Sequence, residues 1–270
     1  MKLIDCFMYF DEDLVLDIRL NTLKEEVDKF VIAEATKTHS GEPKKLNFNL
    51  KNFIKFKEKI IYIVIDDLPS EVKPLKKGWH SNHVRDQFQR NGLSRGYKRF
   101  EDNDLIMISD IDEIPNPISI KEFDVKNKFG CFLQKNFQSK INLLNISETS
   151  WAGTKICRKK DLRSPQWLRN LKAKKRPFWK IFNQKIQLIN NGGWHFSFLK
   201  EPNSIKHKII SYSHQEYNKE EFTNVKSIKE KIAKGEDLFG RNIKYKKVNV
   251  DDSFPSYVYN NKEKFKEWIL

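Results

Sequence analysis

The sequence predicts an α/β protein, a mostly parallel sheet flanked by helices with an antiparallel C-terminal extension. Three observations carry this. In the first half, short apolar runs and amphipathic segments follow one another as strand, helix, strand, then strand, helix, strand, the order that builds parallel sheets. One run, Leu105 to Ile108, is apolar at every position, as strands covered on both faces are. In the second half, apolar runs sit close together around turn residues, which favours antiparallel pairing.

The elements follow in order. "KLIDCFMYF" (2–10) is the first strand. "EDLVLDIRLNTLKEEV" then places Leu16, Leu20, Leu23 and Val27 on one helical face. "KFVIAEA" (29–35) and the β-branched "KIIYIVIDD" (59–67) are strands. "GWHSNHVRDQFQRNGLSRGYKRF" reads as helix, broken near Asn91-Gly92, where a C-cap fits. "DLIMISD" (104–110) is the next strand. "FGCFLQKNFQ" and "KINLLNI" predict strands around a tight turn near Ser139-Lys140. "KIQLIN" and "GWHFSFL" flank Asn191-Gly192-Gly193, a hairpin signal. Helices are expected around 203–213, 219–234 and 256–269. With no internal repeat and no low-complexity linker, residues 1–270 are expected to form one domain.

Composition narrows the function. With 270 residues, 39% hydrophobic and 13% aromatic, the chain carries enough apolar surface for a real core. No apolar segment is long enough to span a membrane, and the acidic residues directly after the first strand argue against a signal peptide. Cys6, Cys131 and Cys157 lack metal or redox spacing and read as core residues of a reducing compartment. The net charge of +15 fits nucleic acid, an anionic membrane surface or phosphate-bearing substrates. Lysines spread singly between apolar residues also suit a plain solubilising surface. A helix-turn-helix, zinc-finger or aromatic RNA-binding signature is missing from the sequence, so nucleic acid is not the expected partner. A metal-dependent hydrolase ranks lower still, because no nucleophile signature or second metal cluster is evident.

The most informative stretch is "NDLIMISDIDEIPNP" (103–117), where a buried strand runs into Asp110, Asp112 and Glu113. In open α/β sheets ligands bind outside the carboxyl ends of the strands. Residues two apart on extended chain point the same way, so Asp110 and Asp112 are expected to face one point. Two hard oxygen donors there suit Mn²⁺ or Mg²⁺, which carboxylates and substrate phosphates hold jointly. Aspartates that merely cap helices or shape turns are the plain alternative.

Three segments, "EEVDKFVIAEATKTHSGEP" (25–43), "DLIMISDIDEIP" (104–115) and "GGWHFSFL" (192–199), together resemble glycosyltransferase family 17. The resemblance runs from about residue 3 to the C-terminal helix. It implies a GT-A fold, with residues 1–118 as the nucleotide-sugar-binding half and 119–270 as the acceptor-side half. It implies metal-dependent transfer of N-acetylglucosamine from UDP-GlcNAc to a glycan or glycolipid hydroxyl, with inversion and a β-1,4 linkage. Another UDP-hexose is the alternative donor. The chain departs from the eukaryotic members in showing no N-terminal anchor or lumenal stem. A compact cytoplasmic enzyme of surface-glycan synthesis is therefore expected. "LKAKKRPFWKIF" (171–182) suits peripheral contact with an anionic membrane, although a solvated loop would have the same composition.

The resemblance also suggests roles. Asp112 would coordinate the metal and Asp110 would face metal and ribose, while Glu113 would support them or orient the acceptor. His195 would be a further metal ligand. Strand alternation sets it with Ser197, opposite Trp194, Phe196 and Phe198. Read from the residues themselves, Glu216, beside His214, and Glu148, before Trp151, are candidates for the base that deprotonates the acceptor, with an ordinary surface glutamate as the plain alternative for each. Glu34 would line the donor pocket. From their place on the helix before the fourth strand, His80 and Arg85 are candidates to approach the diphosphate, with a solvated helix face as the plain alternative. Glu12 and Arg19 are expected to form a structural ion pair.

Overall fold

The computed structural model describes residues 1–69, 81–173 and 186–270. In the first half the described strands are β1 (Leu3–Met8), β2 (Lys29–Ala35), β3 (Ile60–Ile65), β4 (Leu105–Asp110) and β5 (Glu113–Pro115). The helices between them are α1 (Asp13–Leu23), α2 (Ser81–Gly92) and α3 (Ser94–Tyr97). Strands β3, β2, β1 and β4 pair in parallel in that order. Leu105 and Met107 of β4 enter the core on one face of the sheet, and Ile106 and Ile108 the core on the other. That accounts for the unbroken apolar run from Leu105 to Ile108. Leu16, Leu20, Leu23 and Val27 are all buried, as the α1 spacing requires.

The second half begins with a short helix, α4 (Pro117–Ile120), and continues with β6 (Phe129–Gln138), β7 (Leu143–Asn145), β8 (Trp151–Arg158), α5 (Pro165–Asn170), β9 (Ile186–Ile189) and β10 (Gly193–Ser197). It ends with α6 (Pro202–Ser211), α7 (Glu220–Thr223), α8 (Val225–Lys234), β11 (Tyr245–Lys247) and α9 (Ser256–Tyr259). Strand β8 pairs antiparallel with both β4 and β6, so one continuous sheet joins the two halves. The sequence reading missed β8 because Gly153 and Lys155 interrupt its apolar pattern, yet Lys155 is buried. It also missed α5, despite a visible start signal. Ser164 accepts a hydrogen bond from the Trp167 N–H, and Pro165 occupies the first turn.

Three expectations are corrected. The run around Asn191-Gly192-Gly193 is not a hairpin. Strands β9 and β10 both lie parallel to β6, along successive stretches of the same edge. Gly192 presses on that edge, where a Cβ would stand 2.5 Å from the Leu133 nitrogen. The segment thus reads as one strand with a kink. The expected helix 219–234 is two helices, because Asn224 is extended and caps α8 by accepting from the Ser227 N–H. The expected helix 256–269 stops at Tyr259. Beyond it the chain forms turns and a 3₁₀ segment, Lys266–Trp268, with Phe265 fully buried.

Gly193 has φ +122, and a Cβ there would stand 2.1 Å from the Ile114 carbonyl oxygen. Gly193→Ala is therefore expected to destabilise by about 1–3 kcal/mol, seen as a lower urea midpoint.

Candidate active site

Strand β4 ends at the site, and a buried arginine shapes the turn that follows. Arg19 is fully buried on α1 and bonds both oxygens of Asp5, at 2.8 and 2.6 Å. Its remaining protons go to Ser109 Oγ and to the carbonyls of Asp110, Ile111 and Glu113, at 2.6–3.1 Å. The expected Glu12–Arg19 pair is thus replaced by Asp5–Arg19. Glu12 instead meets Lys200 and Lys208, at 3.2 and 3.4 Å.

The resulting turn points its carboxylates in different directions. Asp110 Oδ1 accepts from Arg90 at 3.0 Å and Oδ2 from Arg169 at 3.2 Å. Burial pushes its carboxyl up, but Arg169 and Arg90 outweigh that and hold it well below the usual carboxylate range. Asp112 faces His195, with Oδ1 at 3.7 Å from Nε2, and Lys208, with Oδ2 at 3.6 Å from Nζ. Burial raises its carboxyl above the ordinary value against the pull of Lys208 and His195. Glu113 is fully buried. Its oxygens accept from Trp151 Nε1 at 2.8 Å, from Arg169 at 2.7 and 2.9 Å, and from the Asp110 N–H at 3.1 Å. That makes Glu113 a support for the turn; its oxygens are already taken and cannot orient an acceptor.

Asp110, Asp112 and His195 line one cleft of about 340 Å³, together with Tyr9, Phe10, Trp151, Lys208 and His214. His195 stacks on Trp151, with ring centroids 4.5 Å apart. Its buried Nδ1 has no hydrogen-bond partner among the described residues. Among the described residues no three His, Cys, Asp or Glu side chains form a metal cage. Asp112 and His195 still make a usable pair. Neighbouring octahedral donors ~2.1 Å from one ion stand about 3 Å apart, so this pair, at 3.7 Å, needs only a small side-chain rotation to share an ion. Carboxylate with imidazole suits Mn²⁺, and phosphate oxygens or water can complete the shell. Phe198 breaks the expected alternation, because its φ of +53 turns the ring toward Tyr212 and Phe239.

The other expected residues lie elsewhere. Glu34 is not among the residues lining the cleft. It is fully buried and fastens the β2–β3 connection, accepting from Lys44, from the N–H groups of Asn47 and Phe48, and from Tyr62. Arg85 braces the loops below the cleft by donating to the carbonyls of Pro69 and His39. Glu148 is exposed in the loop before β8. Glu216 is exposed and does not line the cleft, but it bonds His214 Nδ1 at 2.9 Å, and His214 does. His80 and most of 171–182 lie outside the described residues.

Sequence reading missed Arg90, Arg169 and Lys208, lone cations on helices that fold back over the carboxylates. Arg169 has a steadying partner. The Lys155 ammonium donates to the carbonyls of Arg169 and Leu171 at the end of α5. Burial first, then the charge of Arg169, lowers Lys155 to about 8. An unfolded lysine titrates near ~10.4. Between these values the unfolded chain holds more protons, so stability rises with pH across that window. The urea midpoint of the wild type should therefore rise from about pH 8 to about pH 10 relative to that of Lys155→Met.

Comparison with known proteins gives the family. The chain matches the model of glycosyltransferase family 17 over residues 1–266. It is 33% identical over 106 residues to the human β-1,4-mannosyl-glycoprotein 4-β-N-acetylglucosaminyltransferase, and 32% identical to that of Mus musculus. Each match spans 37% of this chain and 19% of the relative's length. Among solved structures, a glycosyltransferase involved in glycosylation of the major capsid of PBCV-1 is 13% identical, with a TM-score of 0.31, over 70% of this chain and 81% of that one. From the match across nearly its whole length, the chain belongs to glycosyltransferase family 17.

Proposed function

We propose that this protein transfers N-acetylglucosamine from UDP-GlcNAc to a glycan hydroxyl, with Mn²⁺ or Mg²⁺ held at Asp112 and His195. The observation that carries this is the cleft at the carboxyl end of β4, where Asp112 and His195 form a fitting donor pair among cations. Family membership supports the transferase reading. The relatives' names support the sugar and the β-1,4 linkage. The parallel sheet with its ligand cleft at the strand ends agrees with a GT-A arrangement.

In the reaction a bond forms from the acceptor oxygen to the anomeric carbon, the carbon–phosphate oxygen bond breaks, and UDP leaves. When bound, the divalent ion would supply Lewis-acid stabilisation of the departing diphosphate. Lys208 adds positive charge beside that position, and Arg90 adds more at Asp110. His214 accepts the acceptor proton, with Glu216 fixing the ring through Nδ1. This gives Glu216 a positioning role one residue removed from the reacting atoms. Attack from the side opposite UDP inverts the anomeric centre. The acceptor is proposed to be a surface glycan or glycolipid.

The test is a donor screen in which UDP release is followed for several UDP-sugars with Mn²⁺ and a panel of glycan acceptors. Acceptor-dependent release from UDP-GlcNAc supports the proposal. Turnover of only UDP-glucose or UDP-galactose would replace the donor and keep the class. Release from no UDP-sugar with any acceptor would count against the reading as a whole.

A further inference from the structure

We infer that Lys208 is a placeholder cation, which neutralises Asp112 until metal and nucleotide arrive together and then turns to the diphosphate. The inference rests on the metal-and-nucleotide reading above and couples the binding of the two.

Three observations support it. First, Lys208 stands between two carboxylates, 3.4 Å from Glu12 Oε1 and 3.6 Å from Asp112 Oδ2. Charge-assisted hydrogen bonds close to about 2.7–2.9 Å, so this ammonium is held by charge and not locked by geometry. The Arg169–Glu113 pair, at 2.7 Å, shows what a locked contact in the same site looks like. Second, the neighbouring cations are committed. Arg90 and Arg169 are bound to Asp110, Asp86 and Glu113, and Lys200 is bound to Asp11 and Glu12. Lys208 is therefore the most loosely held of the cations that face Asp110 and Asp112. Third, its helix packs on a small core of its own. Ile205 and Ile209 of α6 meet Ile228 and Ile232 of α8, with Leu238 and Phe239, apart from the two cores that sandwich the sheet. Side chains of α6 and the residues just after it, including Ser211, Tyr212 and His214, line the same cleft. This placement lets Lys208 swing without disturbing β4.

An ammonium and a divalent ion beside the same carboxylate repel each other. Lys208 should therefore weaken the binding of metal alone. A diphosphate offers the ammonium a stronger partner and releases Asp112 for the metal. Metal and nucleotide would then bind cooperatively, by the same factor in either order.

The test measures Mn²⁺ binding by electron paramagnetic resonance, with and without UDP, in wild type, Lys208→Met and Lys208→Gln. Circular dichroism confirms that each variant is folded. The expected result has opposite signs. Removing the ammonium tightens Mn²⁺ alone by about tenfold or more, weakens UDP in the presence of Mn²⁺ by a similar factor, and reduces the coupling between them. The inference is overturned if either folded variant binds Mn²⁺ alone as weakly as wild type does. If UDP still requires Mn²⁺ and Asp112 in that case, the metal site stands and only the placeholder role falls. If Mn²⁺ binds none of the proteins, with or without UDP, both readings fall.

Discussion

Asp112→Asn is expected to lower kcat/KM by ~10²–10³-fold, the size seen when one preorganised charge-stabilising group is lost. The substitution keeps the shape of the side chain, and it leaves the backbone bond from the Phe196 N–H to the Asp112 carbonyl in place. It removes only the charge that faces His195 and Lys208. Mn²⁺-dependent UDP binding should fall in parallel, read by calorimetry. Stability should move the other way or not at all. Burial already holds this carboxyl above its ordinary value, so a neutral amide relieves a desolvated charge. Asp110→Asn makes the instructive contrast. Arg169 and Arg90 hold the Asp110 carboxyl low, so its ionised form contributes stability above the usual carboxylate range that is lost as pH falls through the folded value. Removing the charge takes from each of two arginines one of its two carboxylate partners and should lower the urea midpoint. Solvent screening keeps that loss modest, because the side chain is 39% exposed. Of two aspartates two residues apart, only Asp110 is thus expected to lose stability when its charge is removed. Turnover of Asp112→Asn within about threefold of wild type would remove it from the chemistry.

The parallel half of the fold was legible because its burial is local and periodic. β4 reads as an unbroken apolar run since both faces are covered, and α1 shows its stripe. The kinked edge formed by β9 and β10 was not legible. A glycine pair signals a tight backbone but not whether the chain reverses or presses sideways on a neighbour. β8 hid for a related reason. Lys155 interrupts its pattern, and the carbonyls at the end of α5 that receive its ammonium lie 14 and 16 residues away. The site divided along the same line. Asp110 and Asp112 stood out by type and position and His195 through the family resemblance, and the fold brings all three to one cleft. Arg169 and Lys208 are cations outside any motif, and only the fold shows that they face Asp110 and Asp112. Glu34 misled because a carboxylate at a strand end looks the same whether it faces a ligand or fastens the next loop.

Arg19→Met is expected to be the most destabilising single change proposed for this chain, at about 3–5 kcal/mol, because it strands a buried charge. Arg19 and Asp5 are both fully buried, so Asp5 would be left with neither water nor a counter-ion. The loss extends beyond the pair. The same guanidinium satisfies the carbonyls of Asp110, Ile111 and Glu113, and buried acceptors left without donors add to the penalty. A drop of roughly 10 °C in Tm is expected. Adding Asp5→Leu to Arg19→Met separates the two roles. The double variant no longer buries a lone carboxylate, so part of the midpoint should return. The turn that aims Asp112 would still lack its donors, so Mn²⁺-dependent UDP binding should stay weak even where the protein is folded. If the double variant recovers stability and binding together, Arg19 acts only as a partner for Asp5. If it recovers stability alone, the guanidinium on α1 is what holds the carboxylate turn in its working shape.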